Sequence, residues 1–193
     1  MQRTVNRLRI ILFFVFTAIW FGTVKSTHSL LTAAAIILHE TGHIIASAIS
    51  GNNLKFFSVR TVGLTLSGEQ SYRSYYEEAF IAFSGPFLNF LSALLCLILS
   101  RSENALFFSG VSFALGTLNL LPIKDFDGGR ITEAFLYGAF EYNTAHILSE
   151  ILSFLALFFL WSISVYALLR SGESLTLFIF SSLLFSKMFF SER

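Results

Sequence analysis

Cysteine occurs once in these 193 residues, charged residues make up only 13% of them, and histidine occurs four times. A single cysteine excludes an internal disulfide framework, and Cys96, set in an apolar run, reads as a small packed hydrophobe. Soluble domains carry about 25% charged residues, so a chain this poor in charge is not an ordinary soluble fold. The net charge of +1 offers no basic excess to meet phosphates, and no nucleic-acid partner is expected. Internal repeats, low-complexity tracts and soluble-domain linkers are also missing. The remainder is apolar: 54% hydrophobic and 17% aromatic, with 24 Phe.

Hydropathy divides the chain into about six spans, judged against the roughly 20 residues needed to cross hydrocarbon. They run Ile10–Val24, Ser29–Ser50, Ala79–Ser100, Ala105–Pro122, Ile151–Leu169 and Ser174–Phe190. The first is short unless Arg9 and Lys25 snorkel to the interfaces; no small-residue cleavage site follows it, so a retained span is expected. Lys187 interrupts the last. The fold class is therefore an all-α polytopic membrane protein, one membrane-embedded domain over residues 1–193. Between the second and third spans, Lys55–Arg60 and Leu64–Ser67 flank Thr61-Val62-Gly63 as a small β-hairpin or loop.

Basic residues set the orientation. With six spans, one side collects Arg3, Arg7, Arg9, Lys55, Arg60, Arg73, Lys124, Arg130, Lys187 and Arg193; the other holds Lys25, Arg101 and Arg170. Both termini are thus expected in the cytoplasm of a cell-membrane protein.

The second span carries His39-Glu40-Thr41-Gly42-His43 with no other charge from Ser29 to Ser50. A helix puts His39 and His43 on one face, Cβ atoms about 5–6 Å apart. Two imidazoles so placed can share one zinc, with Glu40 beside the metal to handle a water's protons. An ionised residue at mid-membrane costs about 2.5–3.5 kcal/mol, which a spanning helix does not carry without a compensating partner. A zinc site needs a further ligand. His28 and His146 lie in or beside connections. Asn119–Arg130 is better placed: Pro122 ends the fourth span, and Gly128-Gly129 allow a turn that brings Asp125 or Asp127 back toward the bundle. In the third span, Phe83-Ser84-Gly85-Pro86-Phe87-Leu88-Asn89 combines a kinking Pro, a Gly for close helix approach, and an Asn able to hydrogen-bond across the bundle.

His-Glu-x-x-His in one span, Gly-Pro-x-x-Asn in the next and Asn…Pro…Asp-Gly two spans later, over roughly Leu30 to Arg130, resemble the site-2 protease family of intramembrane zinc metalloproteases. The layout looks most like the stage IV sporulation factor B branch. The resemblance implies a catalytic core over about 29–130. It implies Zn2+ held by His39, His43 and Asp127, with Glu40 as general base. Asn89, with Asn119, would organise the site or polarise the scissile carbonyl. The reaction implied is hydrolysis of a peptide bond in or next to the membrane segment of a membrane-protein substrate within the lipid bilayer. A membrane-tethered sigma-factor precursor and regulatory membrane proteins are the partners it suggests. The PDZ and CBS domains common among relatives are not expected here. The alternative class, a zinc-binding membrane transporter, needs ligands along a path across the bilayer, and the outer half offers only His28.

Overall fold

The computed structural model describes residues 26–51, 57–60, 63–66, 74–171 and 175–190. The expected first span, Ile10–Val24, and both termini lie outside the described residues. In chain order the elements are α1 (Ser26–Ile49), β1 (Phe57–Arg60), β2 (Gly63–Leu66), α2 (Tyr75–Leu99), α3 (Glu103–Asn119), α4 (Asp127–Ala139), α5 (Tyr142–Ser171) and α6 (Leu175–Phe190). This is an all-α polytopic membrane protein with one small hairpin. Thr27–Ile49, Tyr75–Leu99 and Tyr142–Arg170 are long and apolar enough to cross a bilayer; Leu177–Met188 is a shorter apolar stretch. The described residues fall into two compact units that meet in sequence between Asn119 and Leu120.

In the first unit, α1, α2 and α3 pack against one another. The first helix stops where Gly51 takes a left-handed φ of 72°, its N–H reaching the Ala48 carbonyl at 3.1 Å. Helix α2 starts on Ser74, whose Oγ accepts the Tyr76 N–H, and Glu77 and Glu78 in its first turn favour the positive end of the helix dipole. It continues through Pro86, which has no N–H to offer the Ala82 carbonyl. Glycines set the α1–α2 distance: a Cβ on Gly42 would lie 2.5 Å from the Ser84 carbonyl oxygen and 3.0 Å from Gly85 Cα. Backbone meets backbone there, as small residues allow between membrane helices. Against α2, α3 places Gly116 beside the Phe90 ring and donates Ser109 Oγ–H to the Ala93 carbonyl at 2.9 Å. Strands β1 and β2 pair antiparallel, Phe57 opposite Leu66 and Arg60 opposite Gly63. Gly63, expected in the turn, is in the ladder.

In the second unit, α4 packs on α5 and α5 on α6. Buried Ser164 and Ser181 meet Oγ to Oγ at 2.8 Å across α5 and α6, and Trp161 Nε1–H donates to Ser182 Oγ at 3.2 Å. The expected fourth span ends as a helix at Asn119, three residues before Pro122, because a residue preceding proline is pushed out of the helical region. The role expected for Gly128-Gly129 changes. Both sit in the first turn of α4, and neither has a positive φ. Their value is room, because a Cβ on Gly128 would collide with the Leu120 and Leu121 carbonyls, and one on Gly129 with the Ile123 carbonyl.

Candidate metal centre

The helical spacing of His39 and His43 is realised in α1, and both imidazoles are buried. Their rings stand edge to face with centroids 4.8 Å apart. His43 Nδ1 lies 2.8 Å from the Ile81 carbonyl oxygen of α2. A carbonyl only accepts, so this bond keeps the proton on Nδ1 and the lone pair on Nε2. That Nε2 lies 3.2 Å from His39 Nε2. Two nitrogens each about 2.0–2.1 Å from a tetrahedral zinc are separated by about 3.3–3.4 Å, so the imidazole pair fits one metal ion. Gly85 lies directly beneath: a Cβ there would clash with His43 Nε2 and sit 3.0 Å from His39 Cε1. Glu40 is half-buried next in the chain to His39. At 100° per residue its side chain points beside the imidazole direction.

Two further polar side chains of the first unit, Asn89 and Asn119, belong to the motifs of the sequence. Asn89 is completely buried in α2, and its Oδ1 and Nδ2 have no hydrogen-bond partner among the described residues. Asn119, at the end of α3, donates its Nδ2–H back to the Leu115 carbonyl at 3.0 Å, so its amide serves its own helix. His28 stacks on Phe107 with centroids 4.0 Å apart, and His146 packs edge-on against Tyr142; neither ring joins the histidine pair. An apolar groove of about 310 Å³ opens between α1 and α2, lined by Ile45, Ile49, Phe80, Phe83 and Phe87 with Gly42 and Ser84; neither histidine lines it.

The second unit separates the two candidate carboxylates. Asp127 is buried at the first position of α4, with Arg130 Nη1 3.5 Å from its Oδ1. The helix N-terminus favours negative charge there. Asp125 is exposed and paired with Lys187 at 2.6 Å. Farther along α4, burial pushes the Glu133 carboxyl above its ordinary value, against the lowering effects of Lys124, the Ser149 hydroxyl and His146. His39 and His43 in the first unit and Asp127 in the second are each buried, and each offers a ligand atom of a kind that binds zinc. Sequence reasoning missed Gly85 and the Ile81 carbonyl as parts of this centre. The Gly beside Pro86 was a signal of close helix approach, whereas a backbone acceptor has no side-chain signature.

The profile of the Peptidase M50B-like family matches residues 9–184. Among solved structures, the chain is similar to the site-2 protease from Methanocaldococcus jannaschii, with a TM-score of 0.62 at 22% identity over 96% of this chain and 88% of that one. At that identity the likeness is one of fold. No curated protein sequence matches the chain.

Proposed function

The chain belongs to the Peptidase M50B-like family, and from that premise we propose that it is an intramembrane metalloprotease of the site-2 type, which hydrolyses a peptide bond in or next to a substrate's transmembrane segment using zinc held by His39, His43 and Asp127. The observation that carries the reading is the 3.2 Å Nε2–Nε2 separation, with His43 already oriented by the Ile81 carbonyl. When bound, zinc supplies a Lewis acid for the scissile carbonyl and lowers the pKa of its water toward about 7.

The chain's own residues do the rest. Glu40 takes the proton of the attacking water and delivers it to the leaving amine. Asn89, buried with an amide that no described residue satisfies, donates to the carbonyl oxygen as charge develops there. The groove between α1 and α2 suits an apolar segment by its aromatic lining. The β1–β2 hairpin, which no other described strand pairs with, can hold an unwound substrate by added strand pairing. Unwinding is required, because the hydrogen bonds of a helical segment shield its carbonyls.

The substrate class is a membrane-tethered protein, with a sigma-factor precursor in a sporulation setting as the candidate that the sequence resemblance suggests. Placement is multi-pass in the cell membrane with both termini cytoplasmic; cysteines placed at either end should resist labelling from outside intact cells, and ready labelling there reverses the orientation. The function is tested by Glu40→Gln, which keeps size and hydrogen bonding but removes the base. Proteolysis should fall at least ~10²-fold with zinc retained, and uncleaved substrate should accumulate in the membrane proteome. A near-normal cleavage rate by this variant would refute the mechanism, and altered zinc flux with no change in any membrane protein would favour a transporter.

A further inference from the structure

Asp127 is the first residue of α4, so its carboxylate goes where the preceding turn goes. Within that turn the Ile123 N–H reaches the Leu121 carbonyl at 2.7 Å and the Phe126 N–H reaches the Ile123 carbonyl at 2.8 Å. The Lys124 N–H points instead to a side chain on α5, donating to Ser153 Oγ at 3.0 Å. Ser153 is only 3% exposed. Two ion pairs flank this bond, Lys124 with Glu150 and Asp125 with Lys187, but their lysine side chains are 54% and 42% exposed. Solvent screens such pairs, and their worth is small. The Phe126 ring lies parallel to Phe180 of α6, adding contact without fixing a peptide plane.

We propose that Ser153 is a positioning residue for the metal centre: its hydroxyl fixes the Lys124 peptide and thereby the direction in which Asp127 leaves the turn. This rests on the reading of Asp127 as a ligand. Removing the hydroxyl leaves this part-buried N–H without the acceptor that holds it, and the peptide is free to turn toward another. Lys124 is three residues before Asp127. Gly128 and Gly129 are already pressed against the carbonyls of Leu120 to Ile123, so a rotation at 124 has no slack to absorb it before the carboxylate. Ligand distances tolerate only about ±0.2 Å, so a small displacement at Asp127 is felt in metal affinity.

The test compares Ser153→Thr with Ser153→Val in the purified full-length chain in detergent, because the two side chains match in shape and differ in the hydroxyl. Zinc affinity is read by competition with a chromophoric chelator, and thermal midpoints without zinc report any structural cost separately. Ser153→Thr should bind zinc nearly as wild type, while Ser153→Val should bind about tenfold more weakly, the lower end of the range for outer-shell partners. Ser153→Ala adds a hydroxyl-free variant without extra bulk and should match Ser153→Val. Glu150→Gln, which loosens only the exposed pair, should stay within about twofold. Equal zinc affinity in Ser153→Val and Ser153→Thr overturns the inference alone. Failure of both hydroxyl-free variants to fold, with Ser153→Thr folded, overturns it in favour of a purely structural role. A wild-type chain that binds no zinc overturns the metal reading and this inference together.

Discussion

Gly85→Ala is the sharpest test of the histidine pair, because it adds one methyl group where α2 passes beneath two imidazoles. The new Cβ would sit 3.0 Å from His39 Cε1 and closer still to His43 Nε2, whereas ordinary contact begins at 3.4 Å. His43 cannot swing away cheaply, since its Nδ1–H is bonded to the Ile81 carbonyl on the same helix as Gly85. Nor can the helices close up elsewhere, because the Gly42 position already lies against Ser84 and Gly85 backbone. Overpacking of this kind costs about 1–3 kcal/mol, and loss of the Nδ1 bond adds about 0.5–1.5 kcal/mol. At 1.4 kcal/mol per decade, the total corresponds to a loss in zinc affinity of about 10²-fold. Gly110→Ala is the control: nothing lies within 4 Å of its Cβ position, and an alanine in a helix interior gains up to about 1 kcal/mol over glycine. The assay is zinc titration of both purified variants with thermal melts in the same detergent. Wild-type zinc affinity in Gly85→Ala would refute the argument that Gly85 is required by the imidazoles.

Two more outcomes follow from the second unit. Asp127→Asn should strip tightly bound zinc from the purified protein, while Asp125→Asn should leave one zinc per chain and loosen only the contact to Lys187; metal analysis giving the reverse pattern exchanges their roles. Glu133, in α4 and outside the three long apolar helices, is held above the ordinary carboxyl value chiefly by burial. Because the folded state binds that proton more tightly, its contribution to stability is fully present below the unfolded value and is lost as pH rises through the folded one. Glu133→Gln should therefore gain thermal stability over wild type between acid and neutral pH, and melting curves of the two proteins that stay parallel from pH 4 to 8 exclude this assignment.

The sequence carried the helical nature of the fold and the two-histidine face, because 3.6-residue spacing and an uncharged flank are both written in residue types. The choice of Asp127 over Asp125 rested on resemblance and on the adjoining Gly128-Gly129; burial of one and the Lys187 pairing of the other are tertiary facts. Gly128-Gly129 could be recognised as necessary but not for the right reason. A glycine letter does not say whether the chain needs a positive φ or an absent Cβ, and here it is the Cβ. The acceptor that orients His43 is a main-chain oxygen 38 residues away, invisible to any reading of side chains. Ser153 carries no sequence signal for a related reason: one serine in an apolar helix differs from its neighbours only through the peptide it faces.

The serine contacts between α5 and α6 fix where the last helix sits along its neighbour. With 16 residues, α6 is about 24 Å long, short of a hydrocarbon layer of about 30 Å. Sliding along α5 would not lengthen it; sliding only moves the deficit from one end of the helix to the other. Ser164 against Ser181 and Trp161 against Ser182 index the helix at one axial position, and a slip of one turn, about 5.4 Å, would abandon both. At that position Lys187 reaches Asp125 and anchors the carboxyl end of α6 among polar groups. Were α6 to cross the bilayer at that position, the shortfall would fall at its Leu175 end, where lipid would have to thin.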